Sequence, residues 1–261
     1  ELGLDPLPST AALAERIQAA ERIAPLVARS GMRRLAAFDA PLVGRDEPLQ
    51  RLRAATLPVV LIEGEPGVGK SRLALEYALD RRPFLRLECA ELTKSAALVP
   101  FAETLRRLLA DPLLRGRLAA LPLGVREELA RLVPIDGVPA AAGDGPGGRA
   151  RFLDALSTAF AALIDAGTLV AEDLHWLDDG SLEVLDGLVQ RLGAQPAPGA
   201  RLVATARSTE LAASRAALEL VRKLERGGML ERVALAALDD AATLQLVRGL
   251  SGSRRGRRCA A

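Results

Sequence analysis

A glycine-rich segment with a single lysine has residue types and spacing that suit phosphate binding. It runs from Gly64 to Ser71 with the pattern Gly, four residues, Gly, Lys, Ser. Glycines let the backbone curl so that successive N–H groups face inward and form an anion-binding nest. Lysine occurs in this chain only as Lys70, Lys94 and Lys223, which makes a lysine in this loop notable. The segment therefore fits the Walker A pattern and predicts a loop that holds a nucleoside triphosphate.

Each part of this loop has a distinct expected role. A helix beginning near Lys70 would add its positive dipole end to the nest. Lys70 would reach the β- and γ-phosphates, and the Ser71 hydroxyl would ligate magnesium. We therefore predict ATP and Mg²⁺ as cofactors. The predicted nucleotide-binding residues of this segment are Gly64, Glu65, Pro66, Gly67, Val68, Gly69, Lys70, Ser71 and Arg72.

A second candidate element is an apolar run that ends in two acids, Thr168 to Asp173. A strand ending in an acid has the Walker B arrangement, in which one carboxylate holds magnesium and a second acid orients the attacking water. The sequence does not fix which acid does which. By register we assign Glu172 to the magnesium side and Asp173 to the water side. The alternative is that one of them only caps the following turn.

A third candidate element, Val203 to Arg207, is another apolar run with a polar end. Thr205 at the tip of a strand beside Walker B is placed to sense the γ-phosphate. Arg207 would bring positive charge to the place where charge develops in phosphoryl transfer, or would be an ordinary surface arginine at a strand end. His175 and Trp176 follow Walker B, and we interpret them as packing a loop over the sheet rather than as catalytic.

These motifs lie in a chain where apolar runs alternate with helical periodicity. Alternation of this kind favours an α/β fold with a parallel sheet, so we predict a P-loop NTPase three-layer sandwich with short helical segments at both ends. The predicted strands are 57–62, 84–87, 168–171, 201–206 and 232–235. The first predicted helix of this region is short and follows Gly44. The others cover 70–79, 100–110, 151–166, 181–192 and 210–226.

The composition gives little support to other classes of function. Lys and Arg number 35 against 33 Asp and Glu, a net charge of +2, which provides no general reason to expect nucleic acid or membrane binding. The two cysteines, Cys89 and Cys259, form neither a metal-binding pattern nor a disulfide framework. No signal peptide or apolar run of spanning length is evident. We expect a cytoplasmic protein.

The two ends differ from the middle of the chain. Residues 1–30 are predicted to be helical, with Ser9 or Thr10 as the cap, and 31–40 to form a linker. Gly137 to Gly148 is predicted to be a flexible loop. Residues 236–261 are predicted to begin a helical lid and to end in a basic, disordered tail from Ser251. Because the chain starts at Glu1 rather than Met, we expect a piece of a longer protein or a processed product.

Together the motifs resemble those of the STAND class of signalling ATPases within the AAA+-like group. Val43 to Glu47 resembles the GRE lead-in of that class, and Glu172 to Asp178 resembles its extended Walker B segment, with Leu177 where alanine is usual. Thr205 to Arg207 resembles its T-x-R sensor. The resemblance covers residues 41–250 and implies an ATPase domain over 41–235. It also implies that Val43, Gly44 and Arg45 line the adenine pocket.

The first ten residues resemble the last helical region of the bacterial transcriptional activator domain, a TPR-like domain of SARP-type regulators. That resemblance implies a regulatory ATPase module from a multidomain bacterial transcription regulator, with slow hydrolysis acting as a switch. DNA would then be bound only through a domain missing from this chain. The family continues into a helical lid after Asp240, and we expect the lid here to be truncated or altered.

Two alternatives use the same phosphate-binding loop. An AAA+ motor or loader acting on DNA or protein would need a complete lid and an arginine supplied by a neighbouring subunit, so self-assembly is a candidate partner interaction. A small-molecule kinase is disfavoured by the GRE lead-in and the T-x-R segment.

Overall fold

Five short segments rich in Val, Leu and Ala form the central sheet of the computed structural model. The structure describes residues 42–91, 94, 96–143, 145, 147–194 and 200–256. The segments predicted as an N-terminal helical piece (1–30) and a linker (31–40) lie outside the described residues. The five strands are β1 (Val59–Glu63), β2 (Phe84–Glu88), β3 (Thr168–Glu172), β4 (Arg201–Ala206) and β5 (Leu230–Ala234).

The strands pair in the order β2-β3-β4-β1-β5, and every pair is parallel. This confirms the predicted α/β fold with a central parallel sheet. The last strand begins two residues earlier than predicted, at Leu230, because it pairs with Val59 at the start of β1. Its sequence alone does not reveal this register, which the neighbouring strand sets.

The helices of the described residues connect the strands and continue beyond β5. They are α1 (Asp46–Ala54), α2 (Lys70–Leu79), α3 (Val99–Ala110), α4 (Pro112–Ala119), α5 (Leu123–Ala130), α6 (Gly148–Ile164), α7 (Asp179–Gly193), α8 (Ser208–Ala213), α9 (Arg215–Arg226) and α10 (Asp240–Gly256), with a 3₁₀ turn at Leu174–Trp176. Of the helices in this part of the chain, none is both long and apolar enough to cross a membrane.

Side-chain alternation along the strands produces two separate apolar layers. On β1, Val60 and Ile62 pack with α1 and α2, whereas Val59 and Leu61 belong to a larger cluster with α3, α6, α7 and α9. Successive strand residues point to opposite faces, so a strand that is buried on both faces must be apolar throughout. The result is the predicted three-layer sandwich.

Two predicted helical regions differ in detail from the structure. We predicted no helix between residues 111 and 136, yet α4 and α5 form there. Pro112 lies at the first position of α4 and Pro122 directly precedes α5, where proline starts a helix rather than breaking it. The single helix predicted over 210–226 is wrong, because Ser214 has extended backbone angles and divides it into α8 and α9.

The prediction of a disordered tail from Ser251 is wrong for residues 251–256. Helix α10 begins at Asp240 and continues through this segment to Gly256. A helix that is already nucleated extends with one hydrogen bond for each added residue, so a composition that disfavours nucleation can still continue a helix. Residues 257–261 lie outside the described residues. The predicted lid over 236–261 stays a prediction.

Candidate nucleotide-binding site

The three motifs come together at the carboxyl edge of the sheet. The glycine-rich loop follows β1, Glu172 ends β3, and Arg207 follows β4. Strand β4 lies between β3 and β1 in the sheet, so the ends of these three strands are neighbours. In open parallel sheets the ligand site lies outside the carboxyl ends of the strands. The topology therefore brings together residues that lie far apart in the sequence.

The backbone of the loop requires glycine at several points. Gly67 and Gly69 have φ angles of 80° and 96°, in the region that glycine adopts at little cost. Gly64 requires glycine for a different reason, since an added Cβ would lie 2.4 Å from the carbonyl oxygen of Leu235. Residues 65–67 are exposed, and Val68 and Gly69 are half-buried. The chain thus forms an open curl at the start of α2.

The amino end of α2 has neither a capping side chain nor an acidic residue in its first turn. Gly69 precedes the helix in a left-handed conformation without a side-chain cap, and the first turn contains no acidic residue. The first N–H groups of a helix have no acceptor within the helix, and a bound anion can accept their hydrogen bonds. Ser71 lies half-buried in this first turn, and Arg72 beside it pairs with Glu76 at 2.8 Å. This helix end is suited to phosphate.

The Lys70 side chain lies within the loop. It is 7% exposed, and its Nζ donates hydrogen bonds of 2.8 Å to the carbonyl oxygens of Gly64 and Glu65. Burial lowers the pKa of Lys70, and the nearby Asp173 carboxylate opposes that shift. Arg207 adds to the lowering, which shows that the charges of the three predicted motifs act on one another.

The acid at the end of β3 has a partner that sequence reasoning missed. Arg86 on β2 donates from Nε to the Glu172 carboxylate, and its Nη1 lies 2.9 Å from Glu88. Glu88 in turn pairs with Arg107 of α3 at 2.9 Å. Glu172 and Glu88 lie opposite each other in the β2–β3 register. A basic residue two positions before the end of β2 was the available signal, but its meaning depends on the strand order.

Asp173 is fixed through its backbone. It has a φ of 52°, a left-handed conformation that aspartate tolerates better than most residues. Its N–H donates to the hydroxyl oxygen of Thr205 over 3.0 Å. Thr205 is fully buried at the end of β4, so this side chain orients the Asp173 backbone. Whether Thr205 also senses the γ-phosphate stays a prediction.

Arg207 is held by the helix that follows it. Its Nη1 lies 3.1 Å from the Glu210 carboxylate on α8. The Thr209 hydroxyl, together with Arg207, lowers the pKa of Glu210 to about 2, so this carboxylate stays charged at any physiological pH. Whether Arg207 acts on the γ-phosphate or is a surface arginine at a strand end stays open. It lies close enough to Lys70 to affect the pKa of that lysine.

His175, two residues after Asp173, is buried. The ring is 1% exposed, packs against Trp176 with ring centroids 5.0 Å apart, and has no hydrogen-bond partner among the described residues for either nitrogen. Burial lowers the pKa of His175, so the ring is neutral near pH 7. This agrees with the interpretation that the pair packs a loop over the sheet.

The lead-in segment lies between the loop and α10. Val43 and Arg45 are buried, and Arg45 Nη2 donates to the carbonyl oxygen of Val68 over 2.8 Å. Gly44 has a φ of 63°, and an added Cβ there would lie 2.8 Å from the Ala242 side chain. The structure therefore joins this segment to the phosphate-binding loop. Its predicted role at the adenine base stays a prediction.

Substitution of Gly64 with alanine is expected to damage the site. The new Cβ would displace either the loop or the backbone at Leu235, at a cost of about 1–3 kcal/mol of unfolding free energy. ATP affinity should fall with it, because the loop must move. Gly116→Ala is the control, since a Cβ there meets no atom within 4 Å and favours the helix. Urea unfolding and a fluorescent ATP analogue measure both effects, and equal results for the two variants would contradict the steric argument.

The sheet order, the glycine loop after β1 and the uncapped helix that follows define the fold of a P-loop nucleoside triphosphatase. Residues 41–204 match the model of the AAA ATPase domain. The match covers more than half of the chain, so the chain belongs to the AAA ATPase domain family. Membership of this family implies nucleotide binding.

Two solved structures are similar to this chain, and the first of them supports the fold. The Walker-type ATPase of Pyrococcus abyssi is 16% identical, with a TM-score of 0.50 over 83% of this chain and 59% of that protein. A signal transduction ATPase with numerous domains (STAND) protein with a tetratricopeptide repeat sensor, from Pyrococcus horikoshii, is 16% identical. It has a TM-score of 0.41 over 82% of this chain and 27% of that protein. The chain thus spans less than two thirds of either. No curated protein matches its sequence.

Proposed function

We propose that this chain is the ATP-binding regulatory module of a multidomain bacterial transcription regulator, in which slow magnesium-dependent hydrolysis resets a switch. The observation that supports the ATPase part is that the glycine-rich loop, the acids after β3 and Arg207 lie at the ends of neighbouring strands, with an uncapped helix after the loop. The regulatory part is supported by the three STAND-like motifs and by the N-terminal resemblance.

In this proposal each motif has a defined role toward ATP. The loop N–H groups and Lys70 bind the β- and γ-phosphates, exchanging the two carbonyl contacts of the ammonium for phosphate oxygens. Ser71 and Glu172 would hold magnesium, and that ion would supply charge neutralisation at the phosphates. Asp173 orients the attacking water. The donor set fits the metal, because magnesium bound to a nucleotide usually takes only one or two protein ligands.

Slow hydrolysis is expected from the contacts of the charged residues. Arg207 is paired with Glu210, and Glu172 with Arg86, so both must exchange partners to act on the γ-phosphate and magnesium. A transition-state arginine is worth about 10³–10⁵ in rate. We therefore expect this chain to hydrolyse ATP at well under about one turnover per second, below the usual kinase range. A slow rate also keeps an ATP-bound state long enough for it to act.

Steady-state phosphate release at saturating ATP, measured over a range of protein concentrations, tests the proposal. A slow rate supports a switch, and a slow rate that climbs with protein concentration indicates an arginine supplied by self-assembly. Fast hydrolysis that is independent of concentration would contradict the switch, and stimulation by duplex DNA would favour a motor or loader instead. Transfer of phosphate to small acceptors would indicate a kinase.

The regulator context has its own test. In this proposal DNA is read by a domain missing from this chain, so the chain alone should bind duplex DNA weakly, without sequence preference and with a steep dependence on salt. Electrophoretic mobility shifts at increasing salt measure this. Sequence-specific, salt-resistant binding by the chain itself would contradict the proposal.

A further inference from the structure

The buried arginine of the lead-in segment has an unusual environment. Arg45 is 7% exposed, and burial lowers the pKa of its guanidinium without a contribution from any neighbouring charge among the described residues. A buried cation is costly unless its N–H groups find acceptors. The acceptor that the structure provides is the carbonyl oxygen of Val68, 2.8 Å from Nη2.

The Val68 carbonyl that Arg45 contacts belongs to a peptide of the phosphate-binding loop. Val68 lies in the phosphate-binding loop, one residue before Gly69, and the peptide between them is trans. In a trans peptide the C=O and the following N–H point in opposite directions. A hydrogen bond that holds the Val68 carbonyl toward Arg45 therefore turns the Gly69 N–H away from Arg45.

Gly69 has no side chain to restrain the peptide that precedes it. It has a φ of 96°, directly precedes α2, and has no atom within 4 Å of the position of a Cβ. Nothing in glycine itself selects one orientation of the peptide before it. The hydrogen bond from Arg45 to the Val68 carbonyl supplies such a selection without any bound phosphate.

We propose that Arg45 is a positioning residue of the phosphate-binding loop, which fixes the Val68–Gly69 peptide so that the Gly69 N–H faces the phosphates. This inference rests on the proposed ATP-binding function and assigns Arg45 a role toward the phosphates, separate from any contact with the adenine base. Preorganisation of this kind raises affinity by removing the cost of ordering the loop on binding.

The test distinguishes a role of Arg45 toward the phosphates from a role toward the adenine base, because it includes a ligand that has no base. Magnesium tripolyphosphate and ATP are each used to displace a fluorescent ATP analogue from the wild type, R45M and R45K. We expect R45M to bind both ligands about tenfold more weakly, because a hydrogen bond to a charged group is worth about that much. The factor should be the same for tripolyphosphate and for ATP. R45K should recover part of the loss, because an ammonium can also donate to Val68 O.

Arg201→Met is the matched control. Arg201 is also buried and also donates to a backbone carbonyl, that of Leu52 over 3.2 Å. It lies at the amino end of β4, the edge of the sheet opposite the loop. R201M should lower stability without changing tripolyphosphate affinity. An equal loss of affinity in R201M would show a general structural effect and overturn the proposal.

Spectra of ¹⁵N-glycine-labelled, ligand-free protein give the second measurement. The Gly69 amide should shift in R45M and return toward its wild-type position in R45K. An unchanged Gly69 amide, or a loss of affinity for ATP but not for tripolyphosphate, would overturn the positioning role. If the wild type binds neither ligand, the proposed ATP-binding function fails. If the wild type binds both ligands and R45M binds them equally well, only the positioning role of Arg45 fails.

Discussion

Replacement of Lys70 with alanine is expected to weaken ATP binding about ten- to a hundredfold, because a charge-assisted contact to phosphate contributes about 1.5–3 kcal/mol. The ammonium already lies in the loop, held by the carbonyl oxygens of Gly64 and Glu65. Its removal eliminates the one lysine of the site, together with its two hydrogen bonds to the loop, and leaves the glycine residues of the loop in the sequence. Titration with a fluorescent ATP analogue measures the loss.

The control for this substitution is Lys223→Ala. Lys223 lies on α9, where it pairs with Asp186 of α7, and it takes no part in the site. Its replacement should leave ATP affinity unchanged. Equal affinity of the wild type and Lys70→Ala would contradict the assignment of the loop. Because Lys70 is 7% exposed, unfolding curves for both variants should accompany the titrations.

Asp173→Asn is expected to keep ATP binding and to lose turnover by roughly 10²–10⁴-fold, the usual contribution of a positioned acid or base. The amide retains the size of the side chain and leaves the backbone hydrogen bond to Thr205 in place. It removes the charge needed to orient and deprotonate water. Single-turnover phosphate release with protein in excess over ATP measures this step separately from binding.

Glu172→Gln should differ from Asp173→Asn if our assignment of the two acids is right. We expect it to raise the magnesium concentration needed for half-maximal binding, since Glu172 is assigned to the metal. Magnesium titrations on both variants decide between the acids, with Asp80→Asn at the far end of α2 as a control. If Asp173→Asn weakens magnesium dependence while Glu172→Gln loses turnover, the two roles are exchanged.

The strands and the loop were predictable because each is specified locally. An apolar run followed at once by glycines predicts a buried parallel strand that feeds a loop, and β1 with residues 64–71 has that form. Helix α7 also begins with a local signal, since Asp178 accepts from the Ser181 N–H over 3.0 Å as a capping residue does. Features that depend on neighbouring residues in the sequence were thus predicted well.

The contacts that hold the catalytic candidates were not predictable in the same way. The Arg86–Glu172 pair exists because β2 lies beside β3, and the contact of Arg45 with Val68 joins residues 23 positions apart. Neither follows from periodicity or motif spacing. The motif spacing predicted which residues lie at the carboxyl edge of the sheet, whereas the strand order determines how each of them is held.

Helices α4 and α5 were missed for a related reason. Prolines and glycines in this stretch are typical of residues that end helices. However, Asp111 caps α4 by accepting from the Leu113 and Leu114 N–H groups. In addition, Leu118 and Leu129 pack into the main core. Tertiary packing stabilises short helices that propensity alone does not predict.

We expect this chain to bind magnesium ATP at the loop from Gly64 to Ser71. Isothermal titration of ATP into the chain, in magnesium buffer and again with EDTA, tests it most directly. We expect a single saturable site per chain whose affinity falls when magnesium is removed, and whose heat disappears in Lys70→Ala at the same concentrations. Absence of saturable binding by the folded wild type, or binding unaffected by both magnesium removal and Lys70→Ala, would contradict it.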